Sequence, residues 1–107
     1  MESIAPRDLA RRLEAGERLR IVDVREAEEF ALGALPGSEH CPLSRWQEWL
    51  EDLAAAEDPL VLVCHHGVRS ARVALLLEAQ GRTAPTLNLT GGVELWAQEV
   101  DPSFPRY

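Results

Sequence analysis

Cysteine, histidine, glycine, arginine and serine stand together in Cys64-His65-His66-Gly67-Val68-Arg69-Ser70, directly after the apolar run Leu60-Val61-Leu62-Val63. These residue types at this spacing can make a nucleophilic thiolate. The apolar run reads as a buried strand and Arg69 to Gln80 as a helix, so the cysteine falls at the turn between them. Backbone N–H groups of such a loop and of the first helical turn can converge as an anion cradle, strengthened by the positive end of the helix dipole. A sulfur placed there is stabilised as thiolate, and Arg69 adds a positive charge nearby. The alternative is that Cys64 is a small hydrophobe closing a buried strand. A purely structural turn, however, needs none of the cationic part.

The elements that must position this loop alternate between strand and helix. Pro6 suits the first turn of a helix whose Leu9, Ala10 and Leu13 share a face, and Gly16 stops it. Leu19 to Val24 reads as a strand, and Ser38 to Cys41 as a short one ended by Pro42. Ser44 with Gln47 has the capping-box form, opening a helix to about Ala56 on which Trp46, Trp49, Leu50 and Leu53 form a core stripe. Asp58-Pro59 breaks the chain before the Leu60 strand. The helix after the loop is apolar nearly all round, so it is expected to be largely buried, with Gly81 as its stop. Thr86 to Leu89 forms a further strand, Gly91-Gly92 leads into a last helix with Trp96, and Asp101 to Tyr107 is expected as an extended tail. This order implies an α/β fold with a mostly parallel sheet covered by helices on both faces. Ligands of such sheets bind beyond the carboxyl ends of the strands, where Cys64 lies.

The 107 residues are expected to form a single domain, 1–107, with a core of about 4–98 and a tail of 101–107. With 46% hydrophobic and 27% charged residues, the composition is that of an ordinary globular chain. No apolar stretch approaches the ~20 residues of a membrane span, and no basic-then-apolar signal region opens the chain. The expectation is a cytoplasmic protein that engages neither membrane nor nucleic acid. The net charge of −7 argues against a phosphate-backbone partner. Attraction of an anionic substrate must therefore come from the local loop.

Other reactive side chains read as supporting. Two cysteines in a chain able to build its own core do not suggest a disulfide framework. Cys41, before Pro42, reads as a buried structural thiol rather than a resolving one, and His40 as a structural residue. His65 and His66 are consecutive, which disfavours joint ligation of one metal ion, and no second ligand cluster exists. They are read as shaping the loop, with general acid work open to an imidazole. No metal and no cofactor is expected. Ser70 either caps the helix or offers its hydroxyl to the sulfur. Asp23 and Arg25 read as a structural ion pair or cap.

Four segments in order resemble the rhodanese family of sulfurtransferases. Ile21-Val22-Asp23-Val24-Arg25-Glu26 with Glu29-Phe30 is similar to its first signature, and Gly33-Ala34-Leu35-Pro36-Gly37-Ser38 to its second, with Ala34 where histidine is common. The loop from Cys64 to Ser70 is the third. Asn88-Leu89-Thr90-Gly91-Gly92-Val93 with Trp96 is the fourth. The likeness covers about Ile4 to Trp96. It implies a rhodanese-like three-layer fold and a sulfur transfer from thiosulfate or another donor to cyanide, a thiol or a protein, through a Cys64 persulfide. In that scheme Cys64 is the nucleophile. The backbone of His65, His66, Gly67, Val68 and Arg69 is the cradle, Arg69 orients an anionic donor or supports the loop, and Asp23 and Arg25 lie beside it in support. A persulfide carrier or interaction module without catalysis stays open. So does an oxyanion enzyme of the phosphatase or arsenate reductase type, whose Cys-x5-Arg loop is one residue longer.

Loop length separates transferase from phosphatase. The wild type is expected to transfer sulfur from thiosulfate with negligible hydrolysis of a small aryl phosphate. One residue inserted between Gly67 and Arg69 should cut sulfur transfer by about 100-fold, since a misplacement of about 1 Å costs that much. Steady-state assays of both proteins on both substrates check this.

Overall fold

The computed structural model describes residues 1–107. In chain order the elements are β1 (Glu2–Ile4), α1 (Pro6–Glu14), β2 (Arg20–Asp23), α2 (Ala27–Leu32), β3 (Glu39–His40), a 3-10 helix (Leu43–Glu48), α3 (Leu50–Ala55), β4 (Leu60–Val63), α4 (Val68–Ala79), β5 (Thr86–Leu89) and α5 (Gly92–Glu99). The five strands form one sheet in the order β1-β5-β4-β2-β3, every pairing parallel. β4 is central, which is why all four of its residues are apolar and buried.

Strand alternation sorts the interior into two layers. Val61 and Val63 join Ile4, Leu9, Leu87, Leu89, Val93 and Trp96 on the face covered by α1 and α5. Leu60, Leu62 and Cys64 point the other way, toward Trp49, Leu50 and Leu53 and toward Val73, Ala74 and Leu77 of α4. The cysteine thus continues the inward-facing register of its strand, and its side chain lies on the α4 side. Arg82, also buried, pins the opposite end of the sheet by donating to Thr86 Oγ1 and to the carbonyls of Leu53, Ala56, Asp58 and Pro85.

Six details differ from expectation. The Ser44 helix is two pieces: a 3-10 helix with non-helical backbone at Arg45, then α3. Ser44 does not cap, because its amide and hydroxyl are both taken by the Glu26 carboxylate. Trp46 consequently faces solvent, whereas Trp49 turns inward and donates from Nε1 to Pro42 O at 2.9 Å. α4 buries only the stripe Ser70, Val73, Ala74, Leu77, leaving Val68, Leu75 and Leu76 exposed, since a helix laid on one sheet face covers one side of itself. The tail is not simply extended. It turns at Asp101, sinks Phe104 into the α1/α5 layer and returns Tyr107 to the Cys64 loop. β1 is three residues long, too short to carry a readable pattern.

α5 begins where the chain must come closest to itself. A Cβ on Gly92 falls 2.3 Å from the carbonyl oxygen of Cys64 and 2.4 Å from that of His65. Gly92→Ala is therefore expected to destabilise the fold by about 2–4 kcal/mol, combining an unfavourable φ with a backbone clash. Gly81→Ala, with similar φ but open space around it, should cost about 1–2 kcal/mol. Urea unfolding midpoints of the two variants separate the clash from the backbone preference.

Candidate functional site

Cys64 leaves the end of β4 with 1% of its surface exposed. Its Sγ accepts a hydrogen bond from the Gly67 amide at 3.1 Å and another from the Ser70 hydroxyl at 3.2 Å. Gly67 has φ of +94°, the left-handed turn that swings its amide back over the sulfur. A side chain there would also press on the Gly91 amide and Leu89 carbonyl. Ser70 does not cap α4, whose start is Gly67 itself. Its one hydrogen is shared between Sγ and Asn88 Oδ1, while Asn88 Nδ2 donates to Gly67 O at 3.0 Å. A single β5 side chain therefore fixes both the serine and the loop.

Two helix N-termini meet on this loop. α4 starts within it, and the first turn of α5 donates Val93 N–H to Cys64 O at 2.9 Å and Glu94 N–H to His65 O at 3.1 Å. These bonds satisfy amides that a helix start leaves unpaired. Because the peptide group is planar and trans, pinning those carbonyls to α5 turns the amides of His65 and His66 the opposite way.

The loop's charged residues are tied together rather than free. Arg69 gives its two terminal nitrogens to the Glu29 carboxylate, at 2.6 and 2.9 Å. Tyr107 donates its hydroxyl to the same carboxylate at 2.8 Å and accepts from Arg25 at 3.0 Å. Arg25, fully buried, pairs with equally buried Asp23 at 2.8 Å and also donates to the carbonyls of Glu29 and Gly33. The sequence-derived pair Asp23 and Arg25 thus reaches the Cys64 loop through Tyr107, Glu29 and Arg69. The Arg69 bond, then those from Tyr107 and the Glu26 amide, draw the Glu29 carboxyl from its usual 4.5 down to about 2. Burial, with Glu29 adding to it against the pull of Arg25, pushes the Tyr107 phenol up to about 12.

His65 stacks between His66 and Tyr107, with ring centroids 3.9 and 3.8 Å away. Its Nε2 is buried without a hydrogen-bond partner, 3.9 Å from a Glu94 oxygen. Burial, followed by the neighbouring His66, lowers its titration point. Val68 stands exposed at the mouth of the loop. Cys41 lies apart from these groups. It is half-buried rather than buried and lines the largest cavity, about 580 Å³, with His40, Glu26 and Trp49; burial there pushes its thiol up.

The Rhodanese-like domain profile matches residues 5–99. This chain belongs to the rhodanese family. It is 34% identical to the putative sulfurtransferase YtwF of Bacillus subtilis, covering 95% of this chain and 96% of that one. It is 36% identical to the thiosulfate sulfurtransferase GlpE of Pseudomonas aeruginosa strain PAO1, over 89% and 83% of the two chains. A rhodanese-like domain protein from Staphylococcus aureus superposes with a TM-score of 0.79 at 33% identity, covering 94% and 95%. Other curated relatives are longer, and the chain spans only 31% and 23% of two plant proteins it matches.

In rhodanese terms, the cysteine loop was recognisable as a site from its residues; Glu29 and Asn88 stood in the first and fourth signatures with no role assigned, and Tyr107 stood outside them. Asn88 is a lone amide inside a buried strand, an irregularity that could have drawn attention. Tyr107 left no signal, because its place depends on the path of the tail.

Glu29 binds protons less readily when folded, so its contribution to stability is complete above pH 4.5 and is lost as pH falls toward about 2. The stability gap between wild type and Glu29→Gln is expected to narrow across that window. Denaturant midpoints taken from about pH 6 downward check the sign.

Proposed function

We propose that this chain is a sulfurtransferase, moving sulfane sulfur from thiosulfate or another donor to a thiophilic acceptor through a persulfide on Cys64. The observation that carries the reading is the double donation to one sulfur, from the Gly67 amide and the Ser70 hydroxyl at the start of α4. Relatives named sulfurtransferases support the class of reaction.

The Cys64 thiolate attacks the outer sulfur of the donor. The bond between that sulfur and its carrier breaks, and the carrier leaves with the electron pair, as sulfite in the case of thiosulfate. The sulfur then rests on Cys64 as a persulfide, near the positive ends of α4 and α5. Cyanide, a thiol or a partner protein removes it by the reverse attack, regenerating the thiolate. Two half-reactions sharing one covalent intermediate give ping-pong kinetics. Within this scheme Gly67 and Ser70 hold the charge on sulfur and Asn88 positions Ser70. His65, His66 and Val68 shape the mouth, and Arg69 braces the loop through Glu29, with Asp23 and Arg25 behind it. No step calls for a metal or a cofactor. We further propose that residues 1–107 act as one rhodanese-like unit in the cytoplasm; no helix is long and apolar enough to cross a membrane.

Cys64→Ser is expected to fold, to lose at least about 100-fold in sulfur transfer to cyanide, and to gain no sulfur on incubation with a sulfane donor. Cys41→Ser should keep at least about half of the activity and gain one sulfur atom, because Cys41 sits outside the cradle. Intact-protein mass spectrometry with peptide mapping reads the added sulfur. Equal losses in two folded variants would show that the cysteines act together and overturn the single-cysteine mechanism.

A further inference from the structure

We infer that the sulfane donor suited to this site is an organic persulfide of low charge, R–S–SH, rather than a small dianion such as thiosulfate, because every arginine bordering the cysteine loop is already engaged by a carboxylate. The inference deepens the sulfurtransferase reading and rests on it.

Three arginines approach the loop. Arg69 is occupied at both terminal nitrogens by Glu29, Arg25 is paired with Asp23 in the interior, and Arg106 is paired with Glu94, which flanks His65. Three positive charges therefore meet three negative ones. Burial lowers the titration point of His65, and His66 and Arg72 are exposed, where water and salt screen them. Glu28 adds a further negative charge on α2, and the chain as a whole carries −7. A dianion entering this rim finds each of the three arginines that approach the loop already committed to a carboxylate. It must either displace Glu29 from a bidentate pair or rely on backbone donors alone. Displacing Glu29 also breaks its bonds from Tyr107 and the Glu26 amide.

The rim offers instead what a carbon-borne persulfide can use. The stacked rings of His66, His65 and Tyr107 form an aromatic column whose outer members, His66 and Tyr107, are exposed, and Val68 at the start of α4 is 61% exposed. These surfaces fit the carbon stem of a thiol carrier while the loop amides meet its sulfur. The transfer balances without an oxidant or reductant: Cys64–S⁻ attacks the outer sulfur of R–S–SH, the S–S bond of the donor breaks, and R–S⁻ departs with the electron pair. The proton stays on the transferred sulfur as Cys64–S–SH.

The test measures single-turnover loading of Cys64 by thiosulfate and by the persulfide of N-acetylcysteine methyl ester, whose carrier is uncharged, in wild type, Glu29→Gln and Glu28→Gln. Wild type is expected to load from the persulfide at least about ten-fold faster. Glu29→Gln keeps an oxygen that accepts from the Glu26 amide and from one Arg69 nitrogen, but it removes the second Arg69 bond and leaves the Arg69 charge unbalanced, and should shift the ratio of the two rates toward thiosulfate by about ten-fold. Glu28→Gln changes the net charge equally without unbalancing Arg69 and should shift that ratio by less than about two-fold. Wild type loading equally well from thiosulfate overturns the inference alone, as does an identical shift in both variants. Failure of both donors to load Cys64 in wild type overturns the sulfurtransferase reading with it.

Discussion

The contact between Gly92 and the carbonyls of Cys64 and His65 governs the arrangement of the rest of the site. With no Cβ in the way, the first turn of α5 donates two amides to those carbonyls, and the loop's peptide planes are set by that docking. The sulfur then lies beyond the end of the central strand, between two helix starts, in a region where backbone dipoles favour negative charge. Asn88 completes the arrangement from β5 by holding Gly67 and Ser70. The cradle is thus assembled from β4, α4, β5 and α5, and no single segment of sequence contains it.

A second layer of order is electrostatic. Asp23, Arg25, Tyr107, Glu29 and Arg69 form a continuous chain of hydrogen bonds from the sheet interior to the loop. The buried Asp23–Arg25 pair by itself is weak evidence for stability, since desolvation offsets much of its Coulomb attraction. Its value here is geometric. Arg25 also holds the carbonyls of Glu29 and Gly33, so α2 is oriented at both ends, and Glu29 is delivered to Arg69. A loop arginine that looked free to meet an anion is instead part of the scaffold.

The two cysteines illustrate how environment separates identical side chains. Cys64 ends a strand in the middle of the sheet and meets two donors. Cys41 follows the shortest edge strand and meets the wall of an acidic cavity, where burial and then nearby Glu39 both disfavour its charged form. Their chemistry differs because their strands occupy different places in the sheet.

The sequence by itself determined the α/β alternation, the parallel sheet, the position of Cys64 after the central strand and the family. Those features are local: an apolar run, a glycine turn, a helix start and their order are all readable along the chain. It misled where an outcome depended on a distant competitor. Ser44 resembled a helix cap, but Glu26 claims it from α2; α4 resembled a buried helix, but the sheet covers only one of its sides. Ser70 had two roles open, and the choice fell to its placement between Sγ and Asn88. The role of Arg69, the aromatic stack over His65 and the return of Tyr107 were decided only by tertiary structure. Each joins residues about 40 to 80 positions apart, and spacing along a chain carries no information about which charge or ring will arrive from that distance.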